Sequence, residues 1–196
     1  MLSNKNLVMI ATSMLLADFA FLSFVSWTVE FIQNKFVLTQ EAAIALALYF
    51  GIAAGIGGIG VIVGGMIYDK FGGKRTSLLC GTAMAALSFS LFVSDSYLFT
   101  IAAMFATGFF SNWFWGILTA MAQDNVSAGL RPTAVSFVQS VAFAGALLGP
   151  AVAGFLIETS APSSAFPLIA TVSLPFAIFT FIILFVYRDR SVPVFS

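Results

Sequence analysis

Four polar or aromatic positions lie inside apolar runs, and their residue types limit the chemistry open to them. Asp18 sits at the middle of the run Leu7 to Val29. An ionised carboxylate at the centre of a bilayer costs about 2.5 to 3.5 kcal/mol on insertion scales, so a use for it is expected. The sharp reading is a coupling proton or a contact to a cationic substrate group, and the plain one is a hydrogen bond to a neighbouring helix. No Lys or Arg lies at matching depth. The carboxyl is therefore protonated, solvated in a cavity, or paired with another polypeptide. The second group is Ser111-Asn112-Trp113-Phe114-Trp115, in which Gly108, Asn112, Trp115 and Thr119 share one helical face. Asn112 offers a small-molecule substrate a hydrogen bond, and Trp115 offers it an aromatic wall. Trp113 reads equally well as wall or as packing. Trp27 has the position of an interface-belt tryptophan, and Glu30, Asp95, Asp124 and Glu158 read as solvated.

Other chemistries lack their residues. The 196-residue chain has no histidine and one cysteine, so a Ser-His dyad, a His-ligated zinc or haem and a HExxH helix are excluded. Cys80 has no partner for an internal disulfide and reads as a small buried hydrophobe. No cofactor or metal is expected, and with no nucleophile and base pair in view the chain is read as non-enzymatic. Equal numbers of basic and acidic residues, eight each, give no sign of nucleic-acid binding.

The elements that must hold these residues are membrane helices. The composition is 60% hydrophobic and 8% charged, against about 25% charged in soluble domains. One bilayer crossing takes about 20 apolar residues, so a single all-α domain over 1–196 is expected, with no soluble domain. Six helices are predicted at 7–32, 42–68, 76–93, 97–121, 133–158 and 165–187, joined by short loops that make consecutive helices antiparallel neighbours. A cytoplasmic N-terminus places Lys5, Lys70, Lys74, Arg75, Arg131, Arg188 and Arg190 inside and only Lys35 outside, as the positive-inside rule asks. The expectation is a multi-pass protein of the cell membrane, surrounded by lipid, with both termini cytoplasmic.

Helix two carries seven of the sixteen glycines, with GxxxG spacings at Gly51/Gly55 and Gly60/Gly64, and helix five carries Gly145 and Gly149. Small residues let backbones approach closely in lipid, where hydrophobicity does not drive helices together. Packing within this chain is one explanation for any single pair. Their concentration on helices two and five points to a seam with another six-helix body.

The loop Gly65-Met-Ile-Tyr-Asp69-Lys70-Phe-Gly72-Gly73-Lys74-Arg75 resembles the G-x-x-x-D-[RK]-x-G-[RK]-[RK] motif that the major facilitator superfamily keeps between its second and third helices. Its physical sense is a tight reversal on glycine, a carboxylate suited to nearby helix N-termini and a basic cluster. A merely positive loop explains Lys74 and Arg75 but not Gly65, Asp69 and Gly72 together. A second stretch, Arg131-Pro132-Thr133-Ala134 through Gly149-Pro150-Ala151-Val152-Ala153-Gly154, is similar to the family's R-G-x-A entry and G-P-x-x-[AG]-G stretch around a fifth or eleventh helix. Pro132 stands where glycine is usual, and proline suits the first turn of a helix. Pro150 removes a backbone hydrogen bond inside helix five, which makes it a gating bend or an ordinary kink.

What the resemblance implies is one six-helix half of a protein of about twelve helices. Helix four without an arginine, the Trp27-x-x-x-Phe31 exit of helix one and the short tail favour the C-terminal half. Helices one and four of each half line the family's cavity, which would bring Asp18, Asn112 and Trp115 to a substrate. The implied function is transport of a small solute by alternating access, with proton coupling, together with a second half or a second copy. A membrane scaffold or an inactive relic that kept the fold is the alternative, and a channel finds no filter-like loop.

Overall fold

A computed structural model describes residues 3–161, 164–185 and 187 of the chain, leaving aside the side chains of 53 and 54. It is a bundle of α1 (Lys5–Phe36), α2 (Gln40–Phe71), α3 (Gly73–Val93), α4 (Tyr97–Ser111), α5 (Trp113–Asp124), α6 (Arg131–Glu158), α7 (Phe166–Leu168) and α8 (Leu174–Phe185). Six stretches among the described residues are long and apolar enough to cross a membrane. These are α1, α2, α3, the α4–α5 pair, α6, and α7 with α8. The predicted all-α membrane fold is what the structure has, with helices extended by their caps. Asn4 Oδ1 accepts from the Leu7 amide at 3.3 Å, Thr39 Oγ1 from Ala42 at 3.4 Å, and Ser96 Oγ from Phe99 at 3.4 Å, each satisfying a donor that the helix start leaves open.

Two spans expected to be continuous are interrupted. The fourth breaks at Asn112, which ends α4 and begins α5. The sixth holds a π-helical turn at Ile169–Ser173 between α7 and α8. There Pro175 has no N–H for the carbonyl of Thr171, and Thr171 Oγ1 donates to the carbonyl of Pro167 at 2.7 Å. Pro150 breaks nothing, since α6 runs through it. The last span is described as far as Phe185, and Arg188 and Arg190 lie outside the described residues.

The most extensive pairing is α1 on α6; α3 lies against α4 and α8, and α2 against α4 and α5. The core between them is aromatic. Phe114 stacks on Phe176 at 5.1 Å between centroids and meets Phe179 edge-on, while Phe92 of α3 meets Phe31 of α1 edge-on. With no hydrophobic drive inside lipid, such dispersion contacts are what hold helices together. Of the six spans, α2 is the least buried.

Candidate functional site

Asp18 is only 2% exposed, and its Oδ2 has no hydrogen-bond partner among the described residues. It belongs to the part of α1 that α6 approaches most closely. A Cβ added at Gly145 would strike the carbonyl oxygen of Leu15, and one at Gly149 would strike that of Phe19. Asp18 therefore sits within the bundle, not on its surface. Among the described residues the one ion pair is Lys35 with Asp95, at 3.7 Å, so no basic side chain in the structure answers Asp18.

Asn112 and Trp113 lie on the seam between α2 and the broken fourth span. Asn112 Nδ2 donates to the carbonyl of Gly108 at 3.3 Å and lies against Gly57, where any Cβ would collide with it. Trp113, 4% exposed, lays its indole along Gly60 and Gly64. Its Nε1 is buried without a partner among the described residues. The glycines of α2 are thus a slot for Trp113, whose surroundings are those of a packing wedge. Trp115 is half-buried against the core. Asp18 stands on α1, and Asn112 and Trp113 stand where the broken fourth span meets α2.

The glycines divide the same way. Gly51, Gly55 and Gly65 have nothing within 4 Å of an added Cβ and face outward. Gly145, Gly149 and Gly154 meet Leu15, Phe19 and Trp27 of α1. The seam expected on helix five through its glycines is accordingly an internal one, because α6 turns that face onto α1 and presents Phe143, Leu147, Leu148 and Phe155 outward. Pro150 takes part in the same pairing, accepting a hydrogen bond from Trp27 Nε1 at 2.9 Å. That bond turns the polar edge of Trp27 inward to α6.

In the loop motif, Gly72 has φ +81° between α2 and α3, a conformation that glycine adopts without a Cβ penalty. Asp69, Lys70 and Arg75 are exposed. Lys70 Nζ lies 5.3 Å from the centre of the Phe71 ring. Asp69 and Gly65 border a cleft of about 340 Å³ between α2 and α5, with Tyr68, Trp113, Gly116 and Asp124. Lys74 donates to the carbonyl of Tyr187 at 3.1 Å, tying α3 to the end of the last span.

Two polar clusters escaped sequence reasoning. Lys35, 15% exposed, donates to the carbonyls of Phe92 at 3.0 Å and Ser94 at 2.7 Å, closing the C-terminal end of α3 where carbonyls lack partners and the dipole favours a cation. At the opposite face, Asn125 joins Asn4, Asn6 and Tyr187. Contacts between residues 57 to 121 positions apart leave no local spacing to detect. No cluster of three His, Cys, Asp or Glu suited to a metal occurs among the described residues.

Comparison with known proteins finds a family that matches nearly the whole chain. The model of one protein family, the Major Facilitator Superfamily, matches residues 8–195. A 3-(3-hydroxy-phenyl)propionate transporter of Escherichia coli (strain K12) is 29% identical over 126 residues, which are 64% of this chain and 30% of that protein. The crystal structure of a bacterial homolog to the human lysosomal transporter Spinster, inward-facing and occupied, is similar at a TM-score of 0.69 and 17% identity, over 96% of this chain and 51% of that one. At that identity the likeness is one of fold. The chain spans about half the length of the solved structure and under a third of the curated relative.

Proposed function

Because the chain belongs to the Major Facilitator Superfamily, we propose that it is one six-helix half of a secondary transporter, which moves a small solute by alternating access once a second six-helix body completes it. The observation that carries this reading is the extent of the likeness: all six spans correspond in fold to half of a solved transporter. Transporters of this kind place substrate near the midplane between two halves and rock one half against the other. The open glycine face of α2, with Gly51 and Gly55 free of neighbours, supports α2 as part of the surface that meets the second body. The tight α1–α6 pair supports these two helices moving together.

Asp18 is the coupling residue in this proposal. It is the buried acid of the membrane interior, and a carboxyl held there without a cation is suited to exist neutral and to take up and release a proton. The first solute to try is an aromatic monocarboxylate, because the curated relative is named for one.

The test is uptake into proteoliposomes under an imposed pH gradient, with the chain alone, as a self-assembled dimer, and with a coexpressed second half. Gradient-driven uptake that needs two six-helix bodies supports the proposal, and a stable assembly that moves no solute under any gradient removes it. One observation favours a second reading, a membrane scaffold: Asn112 and Trp113 pack against α2 within the bundle. A scaffold tolerates Asp18→Asn and Asn112→Ala without phenotype and is damaged by changes in the glycine faces.

A further inference from the structure

Two consecutive residues at the end of α5 hold different parts of the bundle, one from a buried position and one from an exposed position. Asn125 is 2% exposed. Its Nδ2 donates to the carbonyl of Met121 at 2.8 Å and to the Tyr187 hydroxyl at 3.0 Å. Its Oδ1 accepts from Asn6 Nδ2 at 2.9 Å, and its backbone carbonyl accepts from Asn4 Nδ2 at 2.9 Å. Lys74 adds its bond to the Tyr187 carbonyl, and Ser77 Oγ donates to the Met121 sulfur at 3.1 Å. Both hydrogens and the oxygen of one amide are thus engaged. The starts of α1 and α3 and the ends of α5 and α8 meet around it. A buried network with its members satisfied is expensive to break, because each group left behind keeps its desolvation penalty.

Asp124, the preceding residue, is exposed and accepts a hydrogen bond from the Tyr68 hydroxyl at 2.6 Å. Tyr68 stands in the last turns of α2. A bond in that position exchanges for bonds to water at small net cost. The surroundings of α2 suit movement at this end: the cleft of about 340 Å³ separates it from α5, and Gly72, with φ +81° and open space about it, joins it to α3.

We propose that Asp124 and Asn125 form a two-part latch, in which Asn125 binds the ends of α1, α3, α5 and α8 into one rigid unit and Asp124 holds the end of α2 by a contact built to open. The end of α2 then swings about Gly72, into or out of the cleft, while the other four ends keep their places. The latch is a property of this chain's own fold and stands whether or not the chain transports.

Hydrogen–deuterium exchange read by mass spectrometry on the intact chain in lipid nanodiscs tests it. Asn125→Ala is expected to raise exchange roughly tenfold together in residues 4–8, 73–78, 120–126 and 183–185, with residues 64–71 unchanged. Asp124→Ala is expected to do the reverse, raising exchange about threefold at 64–71 and leaving the N-terminal, α3 and α8 segments unchanged. Acceleration confined to the loop of Asn125 overturns the proposal, as does an end of α2 that loosens together with the other four in either variant. Should Asn125→Ala not fold, Tyr187→Phe removes one hydroxyl from the same node and carries the same four-segment expectation at smaller size.

Discussion

The indole N–H of Trp27 on α1 donates to the carbonyl of Pro150 on α6 at 2.9 Å, above the glycine that makes room for its ring. Trp113, by contrast, is buried against α2 with its N–H unpaired among the described residues. The same residue type therefore has opposite energetics in one bundle. A hydrogen bond between membrane helices contributes about 0.6 kcal/mol, whereas an unpaired buried donor costs about 1 to 3 kcal/mol. Trp27→Phe is expected to lower the melting temperature of the purified chain in detergent. Trp113→Phe is expected to leave it unchanged or raise it, and a larger loss for Trp113→Phe than for Trp27→Phe refutes the assignment.

Glycine substitutions should separate the two glycine helices. Gly149→Ala places a methyl on the Phe19 carbonyl and has backbone, not a flexible side-chain end, to displace. The expected result is loss of the folded monomer band on fluorescence-detected size exclusion. Gly51→Ala meets nothing within 4 Å and should leave the isolated chain intact. If α2 meets a second body, the same Gly51→Ala weakens assembly while sparing the monomer, which crosslinking in membranes would read.

Asp18→Asn keeps the shape of the side chain and removes its ionisable proton. The folded yield should hold, since an amide is cheaper than a carboxylate in a bilayer. Gradient-driven uptake by the assembled transporter should fall to background while downhill exchange survives. Full gradient-driven uptake in Asp18→Asn would take the coupling role from this residue.

Lys35→Met should fray α3 at its end. The substitution keeps most of the apolar stem and removes the cation from the carbonyls of Phe92 and Ser94. Amide exchange over 90–96 is expected to rise several-fold, for a loss of about 1 kcal/mol or more, with Lys35→Arg recovering part of it. Unchanged exchange there would show that water suffices for these carbonyls.

The six spans were legible because each is written in adjacent residues: an apolar run long enough for a bilayer, ended by charge or turn residues. The loop motif was legible for the same reason, and Gly72 holds the backbone conformation that its place in the reversal requires. Helix partners were not. Sequence spacing shows that Gly145 and Gly149 share a face but not which helix that face meets, and the neighbour proved to be α1 of the same chain. At Asn112 and Trp113 the sequence shows a polar and aromatic group inside an apolar run but not its neighbours: Asn112 stands at the break between α4 and α5, and Trp113, which reads equally as wall or packing, lies along Gly60 and Gly64 of α2. The Asn125 cluster has no signature at all, since its members come from four separated segments and its three asparagines are two caps, Asn4 and Asn125, and a first-turn residue, Asn6.

The pairing of α1 with α6 also sets an order of events during synthesis. About 95 residues of chain separate the end of α1 at Phe36 from the start of α6 at Arg131, which a ribosome making about 5–20 residues per second needs roughly 5–20 s to produce. Through that interval α1 is in the membrane without its main partner, with Asp18 and the backbone beside Leu15 and Phe19 still uncovered. The first span must therefore wait, sheltered by the insertion machinery or by its immediate successors, until the fifth arrives to close over it.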